Sequence, residues 1–199
     1  MTLTNSRAVQ ITSYLLLSLA VTQALYTALY IAELGVPRQL VWGLEGVLFT
    51  MLMAFAGAAL VQAKNYQLGW SAIAFSAVLN LVQVSVGLTM FGPFREAAGQ
   101  LEALGPAAGA VVAFSFMIYY AAKLLLGLAA LIFGMAKMNA GSKALGGFTA
   151  LVGVVAMFAN TILIVFGRNG FLPSPVAGAS GVLATLLLAF CLMSLVRED

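Results

Sequence analysis

The chain contains no histidine in its 199 residues and a single cysteine, Cys191. Without imidazole there is no His-ligated haem, no His-based acid–base dyad and no histidine ligand for zinc. One thiol makes no intramolecular disulfide, no Fe–S cluster and no CxxC redox pair. Charge is equally scarce. Nine Lys and Arg with six Asp and Glu make 8% of the residues charged, against about a quarter in a soluble domain. That is too little to coat a soluble globule of this size. P-loop, GxSxG and HExxH motifs are missing, as is any polybasic run of the kind that binds nucleic acid. These absences argue against an enzyme and exclude nucleic acid as the expected partner.

What is present is apolar: 63% of the residues are hydrophobic and the mean hydropathy is +1.06. A helix needs about 20 apolar residues to cross a hydrocarbon core about 30 Å thick. Six stretches qualify: Val9–Leu34, Leu40–Ala63, Trp70–Phe91, Gly109–Ala136, Leu145–Phe166 and Val176–Val196. Turn residues separate them, among them Gly35-Val36-Pro37-Arg38, Lys64-Asn65-Tyr66-Gln67, Gly141-Ser142-Lys143 and Arg168-Asn169-Gly170. Barrel strands would be about ten residues of alternating polarity, and none of these runs alternates. The expected fold is all-α, a polytopic membrane bundle of six helices forming one domain over residues 1–199. Arg7 before an apolar run and Ser18-Leu19-Ala20 resemble a signal peptide, but the run continues to Leu34, so the span is expected to be retained.

In the longest connection, Gly92–Ala108, residues Phe94, Ala97, Ala98, Leu101 and Leu104 recur near helical spacing. This predicts a short interfacial helix between helices 3 and 4, with a solvated linker as the alternative. Sidedness follows from basic residues in the short loops. Arg7, Lys64, Lys137, Lys143 and Arg197 lie on the side of the N-terminus, and Arg38, Arg95 and Arg168 on the other. The balance places both termini in the cytoplasm and the chain in a plasma membrane of the bacterial, inner-membrane type.

Polar residues inside spans are costly and face a partner or a cavity. Here they gather on faces. Gln23, Tyr26, Thr27, Tyr30 and Glu33 share one face of the first helix, and Ser76, Asn80, Gln83 and Gly87 one face of the third. Ser115, Tyr119 and Lys123 repeat every four residues on the fourth helix, the second contributes Glu45 and the fifth Asn160. With alternate helices running in opposite directions, nearly all of these fall in the half of the bundle away from the termini. The other half is almost purely Leu, Val, Ala, Met and Phe. The sixth helix, with only Ser180, Thr185 and Ser194, reads as scaffold or lipid-facing.

The pattern predicts an outward-facing polar cavity that ends near Lys123, with Glu45 as its counter-charge. Lys123, Glu45, Tyr119, Asn80, Gln83, Gln23, Tyr26 and Asn160 are the candidate ligand-binding residues. They suit binding or transport of a small polar or anionic molecule. The alternative is an accessory or assembly subunit whose polar faces pair with helices of a larger membrane complex. Besides the bilayer, expected partners are such a ligand, a second copy of the chain or that complex. Small residues such as Gly127/Gly134, Gly146–Gly153 and Gly178/Gly181 provide faces for close helix packing.

Overall fold

The computed structural model describes residues 4–35, 38–167 and 171–196. It is all-helical: α1 Asn5–Ile31, α2 Arg38–Gln62, α3 Gln67–Gln100, α4 Gly105–Asn139, α5 Lys143–Phe166 and α6 Ser174–Val196. All six are long and apolar enough to cross a membrane. Arg168 and Arg197, two of the residues used for sidedness, lie outside the described residues.

Apolar side chains cover both the inside and the outside. Leu16, Leu19, Phe49, Leu52, Ile73, Leu126, Phe133 and Leu188 are buried in one continuous core. Phe148, Leu151, Val154, Val155 and Phe158 on α5 are exposed. A water-soluble helix bundle would carry charge on that outer surface; a lipid-facing helix does not.

Between α3 and α4 the structure departs from expectation. The predicted separate interfacial helix is absent: α3 runs on through Pro93 to Gln100 and is followed by one 3-10 turn, Glu102–Leu104, before α4 begins. Proline is compatible with this because it removes only one backbone donor, and the helix continues on both sides of it. The periodicity in Gly92–Leu101 was therefore the end of a long helix, not a new one. Phe94, Ala97 and Ala98 are half-buried while Arg95, Glu96 and Gln100 are exposed. At 1.5 Å per residue, α3 with 34 residues and α4 with 35 are each about 50 Å long, well beyond a core about 30 Å thick. Their joined ends project from the bundle as a helical hairpin.

Helix neighbours define the architecture. α1 packs on α2 and α6, α2 on α3, α3 on α4, and α4 on α6, with no close backbone approach across the middle among the described residues. Five helices thus close a ring in the order α1, α2, α3, α4, α6. The remaining helix, α5, lies outside it against α4 and α6. Its seam with α4 is a glycine contact. A Cβ on Gly153 would fall 2.6 Å from the Gly127 carbonyl oxygen, and one on Gly146 2.6 Å from that of Gly134. Both pairs are spaced seven residues apart, so the antiparallel helices meet twice on the same face. The sixth helix, read as scaffold or lipid-facing, has a buried and an exposed side: Ala177, Ala184, Leu188 and Leu192 are buried and complete the ring, while Val176, Leu183 and Phe190 are exposed.

Candidate functional site

Short turns reverse the chain at 63–66 and 140–142, so α2, α3, α4 and α5 alternate in direction. One end of the bundle holds the N-terminus of α1 and these two turns; the other, the far end, holds the α1–α2 and α3–α4 connections. Contacts between neighbours set the register of the ring. The Trp42 ring of α2 sits in the hollow at Gly87 of α3, where a Cβ would meet it at 2.5 Å. Gly46 lies beside Val84. Gln83 Nε2 donates to Ser115 Oγ at 3.3 Å, which joins α3 to α4, and Gly69 abuts Phe133 further down. The polar faces of α1, α2, α3 and α4 are thereby brought to the far half of the same ring.

Lys123 is the deepest charge. It is 0% exposed, and its Nζ donates to Gln23 Oε1 across the ring at 2.6 Å. α1 and α4 make no direct backbone contact, so the long lysine stem bridges them. Its ammonium lies 5.3 Å from the centroid of the Tyr119 ring, one turn earlier on α4, within cation–π range. The stem has room because position 181 on α6 is glycine. A Cβ there would lie 2.8 Å from Lys123 Cδ and 2.9 Å from Cγ. Gly178, one turn earlier, lies under the Tyr119 hydroxyl.

The direct Lys123–Glu45 contact expected from the sequence is not formed. Glu45 is 5% exposed, and its Oε1 has no hydrogen-bond partner. The groups that bear on the carboxylate are the Thr22 hydroxyl and, at longer range, Lys123; Glu45 in turn acts on Tyr119. The reason is depth. Glu45 adjoins the level of Val84 and Ser115, and Lys123 is rooted two turns below Ser115. Gln23, at the level of Glu45, meets the ammonium first with a neutral oxygen.

Asn80 is fully enclosed on the same inward face of α3 as Gln83 and Gly87. Its Nδ2 donates to the Ser76 carbonyl at 2.9 Å, and its Oδ1 is without a partner. Tyr26 stands at the far mouth of the ring, tilted against Trp42 with centroids 5.5 Å apart; Phe91 meets Trp42 edge-on at 5.9 Å. Asn160 belongs elsewhere. On α5, outside the ring, its Nδ2 donates to the Ala156 carbonyl at 2.8 Å and reaches Ala177 O of α6 at 3.4 Å. The structure thus brings seven of the eight candidate residues to the far half of the ring and leaves Asn160 at the α5–α6 contact.

Three contributors went unforeseen. Thr22 is one residue off the polar stripe of α1, Trp42 resembles an interfacial anchor, and Gly181 looked like one more small packing residue. Only Gly181 carried a usable signal. It pairs with Gly178 at a spacing of three in a run of small residues, Ala177 to Gly181, the pattern of a groove that admits something from a neighbour.

Fold and site together define a class: a six-helix bundle of membrane type, with a helical ring whose interior is mostly apolar toward the termini and carries Gln23, Glu45, Asn80 and Lys123 toward the far end. Compared with known proteins, the chain matches no family model, no curated protein and no solved structure.

Proposed function

We propose that this is a small integral membrane protein whose polar ring interior binds, or carries across the bilayer, a small polar or anionic molecule, with Lys123 supplying the positive charge. One observation carries the reading: Lys123 and Glu45 are both buried and within each other's field, yet Lys123 bonds a neutral amide and Glu45 Oε1 bonds nothing. A buried ion pair retained for stability gains only when the two charges meet in good geometry with their remaining valences filled. An unsatisfied buried acceptor costs about 1–3 kcal/mol, more when charged. A ligand that fills those valences recovers that free energy on binding; folding alone does not.

Gln23, Tyr119, Asn80 and Gln83 orient the bound molecule, and Tyr26 with Trp42 lines the mouth. Lys123 and Asn80 are wholly enclosed, so the ligand enters by displacement of side chains at the far end. With the termini cytoplasmic in a plasma membrane of bacterial type, that end faces outward. An accessory subunit would need its polar groups on the outer surface. The exposed hydroxyls of Thr27, Thr50, Ser85 and Thr89 are instead donated to carbonyls of their own helices, at 2.7–2.8 Å.

Native mass spectrometry of the protein released from nanodiscs tests the proposal. A small non-lipid adduct is expected on the wild type and absent from Lys123→Met. Adduct-free protein in both, or the same adduct in both, overturns it.

A further inference from the structure

We infer that the occupant of this site is a small zwitterion, with its anionic group on Lys123 and its cationic donor on Glu45. The inference rests on the proposed binding role and goes further by naming the ligand's chemistry. It starts from the kind of atom left unsatisfied. Glu45 Oε1 and Asn80 Oδ1 are both acceptors, both in residues more than nine-tenths buried, and neither receives a hydrogen bond. They call for donors. Lys123 has three N–H donors, and one hydrogen bond, to Gln23, is formed.

A simple anion satisfies only part of this. It would meet the lysine ammonium but stand in the field of the Glu45 carboxylate, and Asn80 Oδ1 would remain bare. A simple cation has the opposite fault: it would fill Glu45 and Asn80 and be repelled by Lys123. A molecule with both charges matches the polarity of the ring interior: its anionic group meets Lys123 and its N–H donors meet Glu45 Oε1, with Asn80 Oδ1 one turn deeper as a second acceptor.

Its size follows from the register. Gly46 beside Val84 puts Glu45 close to the level of Val84, and Asn80 is one turn deeper on the same helix. The two acceptors are therefore separated in depth by about one helical pitch, about 5.4 Å. The Trp42 ring seated at Gly87 and flanked by Tyr26 and Phe91 narrows the mouth above them. A ligand that passes this mouth and spans the gap between Lys123 and Glu45 with its opposite charges is a small amino-carboxylate, and the length of that span is what the probes vary.

Thermal stabilisation of the nanodisc-reconstituted protein tests this with five probes at equal ionic strength: acetate, methylammonium, glycine, 3-aminopropanoate and 4-aminobutanoate. At least one zwitterion is expected to half-saturate the shift at a concentration ten-fold or more below that of acetate and of methylammonium. Glu45→Gln removes that advantage and brings the zwitterion to the level of acetate. Asn80→Leu weakens it several-fold, and Ser85→Ala, whose hydroxyl bonds its own helix, leaves it unchanged. Should Glu45→Gln not fold, Glu45→Asp replaces it and shifts the preference to the longer zwitterion.

Acetate equalling the zwitterions, with Lys123→Met abolishing both, overturns the inference and leaves an anion site standing. Methylammonium outperforming the rest overturns the inference and the assigned role of Lys123. Stabilisation by none of the probes overturns the zwitterion, while the adduct measurement above decides separately whether a ligand binds at all.

Discussion

The two halves of the helical ring are built from the same five helices and obey opposite rules. Toward the termini, Leu16, Leu19, Leu52, Ile73, Leu126 and Phe133 interlock in a mostly apolar core whose buried polar groups on α1 are the small hydroxyls of Thr12 and Ser13, with Thr12 Oγ1 unpartnered. Toward the far end, the same helices present Gln23, Glu45, Asn80, Ser115 and Lys123, and two of these residues have an acceptor without a donor. A sequence selected for stability alone would extend the first half into the second. Local violations of good packing practice concentrate where function requires them, and on the proposed reading the far half is such a place. The near half acts as a plug that holds the helices in register, and the far half is left underpacked in its hydrogen bonding.

The contrast can be broken from either side. Phe133→Ala should have the largest effect. The ring meets Trp70 edge-on at 5.0 Å and fills the hollow at Gly69, so its loss should destabilise the bundle by about 3–5 kcal/mol. Chemical denaturation in detergent reads this, and ligand affinity of the surviving folded fraction should be unchanged. Gly153→Ala comes next. Its added methyl meets the Gly127 carbonyl on a backbone that cannot step aside, which should cost about 1–3 kcal/mol by the same assay.

In the polar half the sign should reverse. Asn80→Leu removes an unsatisfied buried acceptor and should leave stability unchanged or raise it by about 1 kcal/mol, while it weakens ligand protection. A clear loss of stability together with unaltered protection would place Asn80 with the plug. Asn160→Leu should have the smallest effect, within about 0.6 kcal/mol of no change, because loss of its interhelical contact is offset by removal of Oδ1, an acceptor buried without a partner like that of Asn80, and ligand protection should stay the same. A change in protection there would bring α5 into the site.

Much of this contrast was legible in the residues. Six apolar runs separated by turn residues are an unambiguous signal, because a bilayer sets the length of what crosses it. Faces were legible as well: spacings of three and four put Ser76, Asn80 and Gln83 on one side of α3, and the structure keeps them there. Neighbour relations were not. Nothing in the sequence says that α6 joins the ring and α5 stays outside, since both are apolar with small residues at helical spacing. For that reason Asn160 was grouped with residues it does not meet, and the part played by Gly181 was unseen. The α3–α4 segment misled in another way. Pro93 and Gly92 are strong breakers in water, but the lost hydrogen bond and the ring's clash with the carbonyl four residues back, about 3 kcal/mol, are tolerated in a long helix that a neighbouring helix supports. Helical spacing on both sides of Pro93 was the better guide.

The most direct test of the contrast is the reach of a membrane-impermeant thiol reagent into each half. Cys191, the one native thiol, is buried, and Cys191→Ser clears the background. In that background Gln83→Cys, half-buried on the polar face, should react with reagent added from the side opposite the termini and be protected by ligand. Ile73→Cys, 0% exposed in the plug, should react from neither side. Silence at Gln83→Cys from both sides, or labelling of Ile73→Cys, would contradict a ring that is sealed at one end and receives a ligand at the other.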